Sequence, residues 1–293
     1  LQAVPFEAFV DDNGHHLIQR FEVHMLQTGR DLVGRGHRPG GKGLVALGGI
    51  DFGETAVAVA AASLLPPTEK RAALDATRAQ FAGFPPLSAT LAEVTYIGDA
   101  YSAYRSGEPT PIVLTGREAT EAAVKSLALP PRVLHFATHG FYLASGTIEG
   151  RPLLQSGITL AGANQALRGA TGPDEENGVL HAVEVQTLNL FGTELVVLSA
   201  CATGQGVIDY SEGLEGLPRA FFVAGAQNVL AALWSVGDTA ALNFMQRFYE
   251  NWLAQEVSNP SAALRQTKLW YISQTDARVA DPQNWSPFVL FEG

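Results

Sequence analysis

Uninterrupted apolar runs recur along the chain and predict buried strands. Four runs are long enough to cross a sheet: 44–50, 133–137, 194–201 and 228–234. Strands that are apolar at nearly every position are typical of a parallel sheet with both faces covered. Weaker strand patterns occur at 17–26, where Asp11 to Gly14 would turn a hairpin, at 111–114 and at 157–161.

The segments between these runs have helical spacing or turn-forming composition. Thr115 and Glu118 have the spacing of a capping box, which predicts a helix that runs to about residue 127. Asn259 before Pro260 predicts the start of the last helix. Further helices are predicted at 68–81, at 214–224 and around an apolar face made by Ala241, Phe244, Met245, Phe248 and Trp252. The polar stretch 163–177 predicts a mobile loop. Alternating strands and helices indicate an α/β fold with a mostly parallel β-sheet flanked by helices on both faces.

Charge and cysteine content narrow the function classes. The 19 Lys and Arg against 29 Asp and Glu give a net charge of −10, with no basic cluster, so we expect no direct nucleic-acid contact and no binding to anionic membranes. No apolar stretch approaches the roughly 20 residues of a membrane span. The single cysteine cannot form an internal disulfide, which fits a reducing compartment and a cytoplasmic location.

Two of the predicted strands end in reactive side chains. Cys201 ends the run 194–201 and is followed by glycines at 204 and 206, whereas His139 follows the run 133–137 and precedes Gly140. Open α/β sheets place their sites at the carboxyl ends of the strands. A thiol beside an imidazole forms a nucleophile–base pair, and glycine next to it lets a backbone N–H face a developing oxyanion.

Simpler interpretations compete with each chemical one. Cys201 alone would more often be an inert core residue, but its place at a strand end beside a glycine-rich turn favours the reactive interpretation. The stretch 36–42 has phosphate-loop spacing, yet it precedes a strand and is interpreted as a loop. One cysteine without a supporting cluster predicts no metal site. Surface or loop positions are predicted for His15, His16, His24, His37 and His181, a solvated loop for 174–176, and core positions for Trp252, Trp270 and Trp285.

The first of the two strand-end motifs is Val-Leu-His-Phe-Ala-Thr-His-Gly at 133–140, and the second is Glu-Leu-Val-Val-Leu-Ser-Ala-Cys-Ala-Thr-Gly at 194–204. Together they resemble the CHAT domain family, which is related to caspases and separases. Further matching blocks follow in family order at 5–6, 51–53, 152–154, 160–163, 212–214, 221–226, 233–236 and 287–290. The chain departs from the family pattern at Ala202, where Asp is common, and at Gly237, which is often acidic.

The resemblance implies a caspase-like fold with His139 as base and Cys201 as nucleophile. It implies that backbone N–H groups of Gly140 and Cys201 hold the oxyanion. It further implies a single domain over 1–293, with 1–100 as a degenerate N-terminal half and 110–293 as the catalytic half. Because residue 1 matches the inside of the family's opening strand, we expect part of the N-terminal edge to lie outside this chain.

Substrate-binding residues are also suggested by the resemblance. The block Trp234 to Asp238 resembles the Trp-Asp-Val-Thr-Asp block of separases, whose final Asp is associated with a pocket for arginine. Asp238 would take that role here, unless it only caps the helix that begins near Thr239. Ser199 would line the same pocket and leave room for a long side chain. Trp234 and Glu212, which lie in shared blocks, complete the substrate-binding candidates.

The expected function is a cysteine endopeptidase that cleaves a specific protein substrate with a His–Cys dyad and needs no cofactor. CHAT domains are often fused to tetratricopeptide repeats, so the resemblance implies regulation by a partner protein or an attached repeat module. Loops at 164–180 and 202–212 would flank the site and gate it. The alternative is a catalytically silent CHAT domain that serves as a protein-interaction module.

Overall fold

The computed structural model describes residues 4–26, 40–53, 67–143, 152–169, 176–199, 210–254 and 259–293. Ten strands lie in these ranges: β1 (Met25–Leu26), β2 (Leu44–Ile50), β3 (Ile112–Gly116), β4 (Val133–Phe136), β5 (Gly140–Tyr142), β6 (Ser156–Thr159), β7 (Val179–His181), β8 (Leu195–Leu198), β9 (Asn228–Ala232) and β10 (Phe288–Glu292). The α-helices in the same ranges are α1 (Leu17–Arg20), α2 (Pro67–Gln80), α3 (Thr90–Tyr104), α4 (Glu121–Lys125), α5 (Ala163–Leu167), α6 (Ala182–Val185), α7 (Tyr210–Ala224), α8 (Asp238–Ala254), α9 (Pro260–Ile272) and α10 (Ala277–Ala280).

Seven strands form one sheet in the order β1-β10-β9-β8-β4-β2-β3. Strands β3, β2, β4, β8 and β9 pair in parallel, whereas β10 is antiparallel to β9. The four long apolar runs became the adjacent strands β2, β4, β8 and β9. The predicted α/β fold with a mostly parallel sheet is therefore confirmed.

Alternate residues of the sheet pack into two separate apolar layers. On one face, Leu134, Phe136, Val196 and Leu198 pack with Phe221 of α7. On the other face, a layer from the same strands packs against α3, α8 and α9 and includes Ala46, Val133, Val197, Val94, Ile97, Phe244, Phe248 and Trp252. Burial of both faces explains why these strands carry almost no polar residues.

A small antiparallel sheet of β5, β6 and β7 stands apart from the main sheet. Its first strand begins at Gly140, directly after His139. The predicted strand at 157–161 is the middle strand β6, which pairs with β5 and β7. The chain that leaves β4 thus turns at once into a second sheet, and His139 lies at the junction.

Three local expectations are wrong. Residues Leu17–Arg20 are helical rather than extended, because the Gln19 side chain accepts the His16 N–H at 2.8 Å and closes a helical turn. The helix after β3 is not capped at Thr115. It begins at Glu121, and Thr120 Oγ1 accepts from the Ala123 N–H. The predicted mobile loop 163–177 contains helix α5, which also removes part of the expected gating loop 164–180.

Helix α3 was not predicted from the sequence. It follows the Pro-rich break at 85–86 and buries Val94, Ile97 and Tyr101 on one face. The spacing of these three residues would have indicated a helix. The predicted cap of α9 is confirmed, since Asn259 Oδ1 accepts from the Ala262 N–H at 2.8 Å. Helix α9 is not the last helix, however, because the short α10 follows it. Trp252 and Trp285 are core residues as expected, whereas Trp270 is only half-buried beneath Arg247.

Candidate active site

The candidate site lies at the carboxyl edge of the paired strands β4 and β8. Phe136 and Leu198 are register partners, and the Ser199 N–H donates to the Phe136 carbonyl at 2.9 Å. His139 comes three residues after Phe136, and Cys201 comes three residues after Leu198. Cys201 itself lies outside the described residues, within the gap at 200–209. The described strands therefore carry the chain to the same edge just before each reactive residue.

His139 is enclosed by aromatic rings and by one backbone carbonyl. His139 is 2% exposed, and its ring centroid lies 5.1 Å from that of Phe52 and 5.7 Å from that of Phe84. Its Nε2 lies 2.7 Å from the Pro85 carbonyl oxygen. A carbonyl can only accept, so Nε2 must carry the proton, and Nδ1 holds the lone pair of the neutral ring.

Burial and nearby polar groups have opposite effects on the pKa of the His139 imidazole. Burial lowers the pKa of His139 below its usual 6.5, and the Pro85 carbonyl and the charge of Asp238 partly oppose this by favouring the protonated ring. A neutral ring with a fixed tautomer is suited to accept a proton at Nδ1 near neutral pH.

The backbone N–H of Gly140 faces away from the neighbouring strand. Thr159 N–H donates to the His139 carbonyl at 3.0 Å, and Leu143 N–H donates to the Gln155 carbonyl at 2.6 Å. These mark alternate hydrogen-bonded pairs of the antiparallel ladder, so Gly140 and Ile158 form a non-hydrogen-bonded pair between them. In such a pair the N–H groups point outward, which leaves that of Gly140 free of the ladder with β6.

Asp238 and Ser199 lie at the same edge of the sheet, after β9 and β8. Ser199 is fully buried, and its Oγ has no hydrogen-bond partner among the described residues. Asp238 Oδ2 accepts from the Ala89 N–H at 2.7 Å and from Ser88 Oγ at 3.3 Å, whereas Oδ1 is buried without a partner in the described part of the chain. Asp238 thus contacts the start of α3, an arrangement that neither the pocket nor the cap interpretation included.

The remaining substrate-binding candidates are less informative. Trp234 is half-buried and packs against the apolar layer that contains Phe136 and Phe221. Glu212 lies within α7, but its side chain is outside the described part of the structure. The Pro85 carbonyl and the contact between Ala89 and Asp238 were missed, because they join backbone groups to side chains far away in sequence.

A second buried histidine, His135 of β4, has a structural role. Its Nε2 lies 2.9 Å from Glu93 Oε1 of α3, and its Nδ1 lies 3.1 Å from the Tyr249 hydroxyl of α8. All three residues are buried between the sheet and these helices. His135 therefore joins α3 and α8 to the main sheet on the face opposite the layer of Phe136.

An ion cluster of three glutamates and two lysines lies between α2, α4 and α6. Lys125 Nζ contacts Glu121 at 3.0 Å, Glu176 at 2.9 Å and Glu184 at 2.8 Å, and Lys70 Nζ lies 3.6–3.9 Å from the same carboxylates. The expectation of a solvated loop at 174–176 is therefore wrong for Glu176, which ends the segment in this cluster. Asp174 and Glu175 lie outside the described residues.

Protonation in this ion cluster follows from burial and charge. Burial raises the pKa of Glu121 well above its usual value, whereas the charges of Lys125 and Lys70 lower it. The pKa of Glu176 is lowered, because its hydrogen bond with Glu121 and the lysine charges outweigh the cost of burial. Oxygens of the three glutamates lie within 4.8 Å of one another, as in a metal site, but the Lys125 ammonium already contacts all three.

His181 is also not at the surface, contrary to expectation. It is fully buried at the end of β7, with its ring 5.8 Å from that of Phe141 in an edge-on arrangement. Neither ring nitrogen has a hydrogen-bond partner of good geometry among the described residues. Burial lowers the pKa of His181 to about 4. The other predicted surface histidines agree in part, since His15 and His24 are exposed, His16 is half-buried, and His37 lies outside the described residues.

Comparison with protein families identifies the chain. The CHAT domain model matches residues 1–292. The chain belongs to the CHAT domain family. This CHAT domain is 29% identical over 194 residues to tetratricopeptide repeat protein 28 of Mus musculus, and equally so to the Homo sapiens protein of that name. The match covers 60% of this chain but only 8% of either relative.

A solved structure with a related arrangement is that of the Arg-specific cysteine proteinase gingipain R. It is 9% identical to this CHAT domain, with a TM-score of 0.46, and the match covers 93% of this chain and 49% of the other. None of the helices in the described ranges is long and apolar enough to span a membrane.

Proposed function

We propose that this CHAT domain is a cysteine endopeptidase in which His139 and Cys201 form the catalytic dyad. The observation that carries the proposal is the matched position of the two residues. Each follows its strand by three residues, and the two strands are hydrogen-bonded neighbours with Phe136 opposite Leu198. Cys201 lies two residues past Ser199, a reach of at most about 7 Å.

The tautomer of His139 suits the role of base. Its Nε2–H is engaged by the Pro85 carbonyl, so Nδ1 is the nitrogen that takes the thiol proton. The thiolate of Cys201 attacks the scissile carbonyl, and backbone N–H groups of Gly140 and Cys201 stabilise the oxyanion. His139 then protonates the leaving amine, and water cleaves the thioester with His139 as base.

Arg or Lys is the proposed residue before the scissile bond. Asp238 Oδ1 and Ser199 Oγ are both buried polar atoms without partners in the described structure. A guanidinium or ammonium group would supply the donors that these atoms lack. A fluorogenic peptide library varied at this residue tests the proposal. Preference for Leu or Asp would contradict it.

Regulation by a partner protein or an attached repeat module is the remaining part of the proposal. Both curated relatives are named as tetratricopeptide repeat proteins. This chain spans about 8% of their length. We expect weak activity from the chain alone and strong stimulation by such a module. Full activity of the chain without a partner would contradict this.

The direct test of peptidase function is a survey of new N-termini in a proteome treated with the chain. Wild type is compared with Cys201→Ala and His139→Ala. A parallel set of samples also contains a tetratricopeptide repeat module as the proposed regulator. Cleavage that both variants lose supports the dyad, whereas cleavage that survives in either variant contradicts it.

The second candidate function is a catalytically silent module for protein interaction. The burial of His139 favours it, because a substrate has little access to a residue that is 2% exposed. An unreactive Cys201 thiol would support that candidate.

A further inference from the structure

The segment 84–90 connects the candidate base to three other parts of the fold. Asn164 of α5 holds Phe84 through two hydrogen bonds, one at 2.8 Å to the Phe84 N–H and one at 2.9 Å to its carbonyl. At the other end, Thr90 Oγ1 accepts from the Gly49 N–H of β2 at 2.9 Å. Pro85, whose carbonyl accepts from His139, lies between these two attachments.

Asp238 supplies the third attachment of this segment. It is the first residue of α8, yet its Oδ2 accepts from the Ala89 N–H at 2.7 Å. Ala89 is the N-cap position of α3, where backbone N–H groups lack partners within the helix. A carboxylate at this point satisfies such a donor and is favoured by the helix dipole. Asp238 therefore joins the start of α8 to the start of α3.

We propose that Asp238 is a positioning residue for His139, which it acts on through the segment that carries Pro85. By holding Ala89, Asp238 keeps the Pro85 carbonyl where it accepts the Nε2–H of His139, so that Nδ1 keeps the lone pair that can take a proton. The inference rests on the proposed dyad, and it gives Asp238 a function that does not depend on the residue before the scissile bond.

The charge of Asp238 adds to this effect. Burial lowers the pKa of His139, and Asp238 is the charged group of the described residues whose field opposes this. Its Oδ1 has no hydrogen-bond donor in the described part of the chain, so its negative charge is only partly compensated. A carboxylate near an imidazole stabilises the imidazolium that forms when the ring takes a proton.

A positioning role and a pocket role predict different kinetics. If Asp238 only binds an Arg or Lys side chain, its loss raises KM for those substrates and leaves the others unchanged. If it positions His139, its loss lowers kcat whatever residue precedes the scissile bond. A misplacement of about 1 Å can cost about a hundredfold in rate.

The experiment compares Asp238→Asn, Asp238→Ala and the control Ser88→Ala. Asn keeps an oxygen that can accept the Ala89 N–H but removes the charge, whereas Ala removes both. Ser88→Ala removes only the longer contact at 3.3 Å and should behave as wild type. The first readout is the pKa of His139, which an NMR titration of the full chain measures. His139→Gln identifies the His139 signal in the spectrum. The second is kcat and KM across the peptide library.

We expect the pKa of His139 to fall in both Asp238 variants, so the acidic limb of the rate profile moves to lower pH. Asp238→Ala should also lower kcat about ten- to a hundredfold for every library member. An unchanged pKa of His139 in both variants would overturn the inference, as would a loss confined to Arg and Lys substrates. The NMR titration needs no turnover, so the inference can fail or hold even if wild type proves inactive.

Discussion

Replacement of His181 by Leu should make the CHAT domain more stable in mild acid. The imidazole is fully buried against Phe141, and neither ring nitrogen has a well-formed hydrogen bond among the described residues. The Leu154 carbonyl and Glu184 favour the protonated ring, whereas Lys70 and Lys125 oppose it, and burial dominates. A leucine of similar size therefore removes a buried polar ring and loses no hydrogen bond of good geometry.

The magnitude follows from the two pKa values of this side chain. The folded pKa is about 4, against 6.5 as the reference for the unfolded chain. The unfolded state therefore binds the proton first, and the folded state loses stability as the pH falls through this window. Between about pH 7.5 and about pH 5, the linkage amounts to about 2 kcal/mol. His181→Leu should not show this loss.

Urea unfolding at a series of pH values measures the effect. The free energy of unfolding of His181→Leu minus that of wild type should rise by about 2 kcal/mol between about pH 7.5 and about pH 5. The titrations of Glu121 and Glu176 occur in both proteins and largely cancel in the difference. His15→Leu, which removes an exposed histidine, is the control and should give a curve parallel to wild type. A His181→Leu curve that is also parallel would refute the reasoning.

Two further substitutions test the interior of the fold. Lys125→Met leaves the buried carboxyl groups of Glu121 and Glu184 and the partly buried one of Glu176 with only the more distant Lys70, so we expect a loss of about 3–5 kcal/mol in urea unfolding. Arg278→Met, in an exposed pair, should change nothing measurable. Gly48→Ala would place a Cβ 2.6 Å from the Thr90 carbonyl and should cost about 1–3 kcal/mol, and wild-type stability would contradict the close packing of β2 against α3.

The parallel sheet could be predicted from sequence because its strands are buried on both faces. Each of the runs 44–50, 133–137, 194–201 and 228–234 shows that burial in its own composition, and each became a strand. His139 and Cys201 were proposed for the same reason, since a reactive side chain next to an apolar run marks a strand end. These local signals need no knowledge of what the strand packs against.

Contacts between distant segments could not be predicted in this way. Asp238 and Ala89 are 149 positions apart, and the donor is a backbone N–H that no side chain announces. Glu176 and His181 look like surface residues in sequence, because the lysines and helices that enclose them lie far from them along the chain. The Pro85 carbonyl likewise belongs to the residues 1–100 but serves a histidine of 110–293. The tautomer of His139 is therefore visible only in the structure.

The rate at which iodoacetamide alkylates Cys201 is the most direct test of the dyad. Cys201 is the single cysteine, so the incorporated label reports on one thiol. An imidazole beside it should hold the thiolate form, so we expect alkylation near neutral pH to be about tenfold or more faster in wild type than in His139→Gln. Equal rates in the two proteins, both at the level of a free thiol with a pKa of about 8.5, would contradict the central claim.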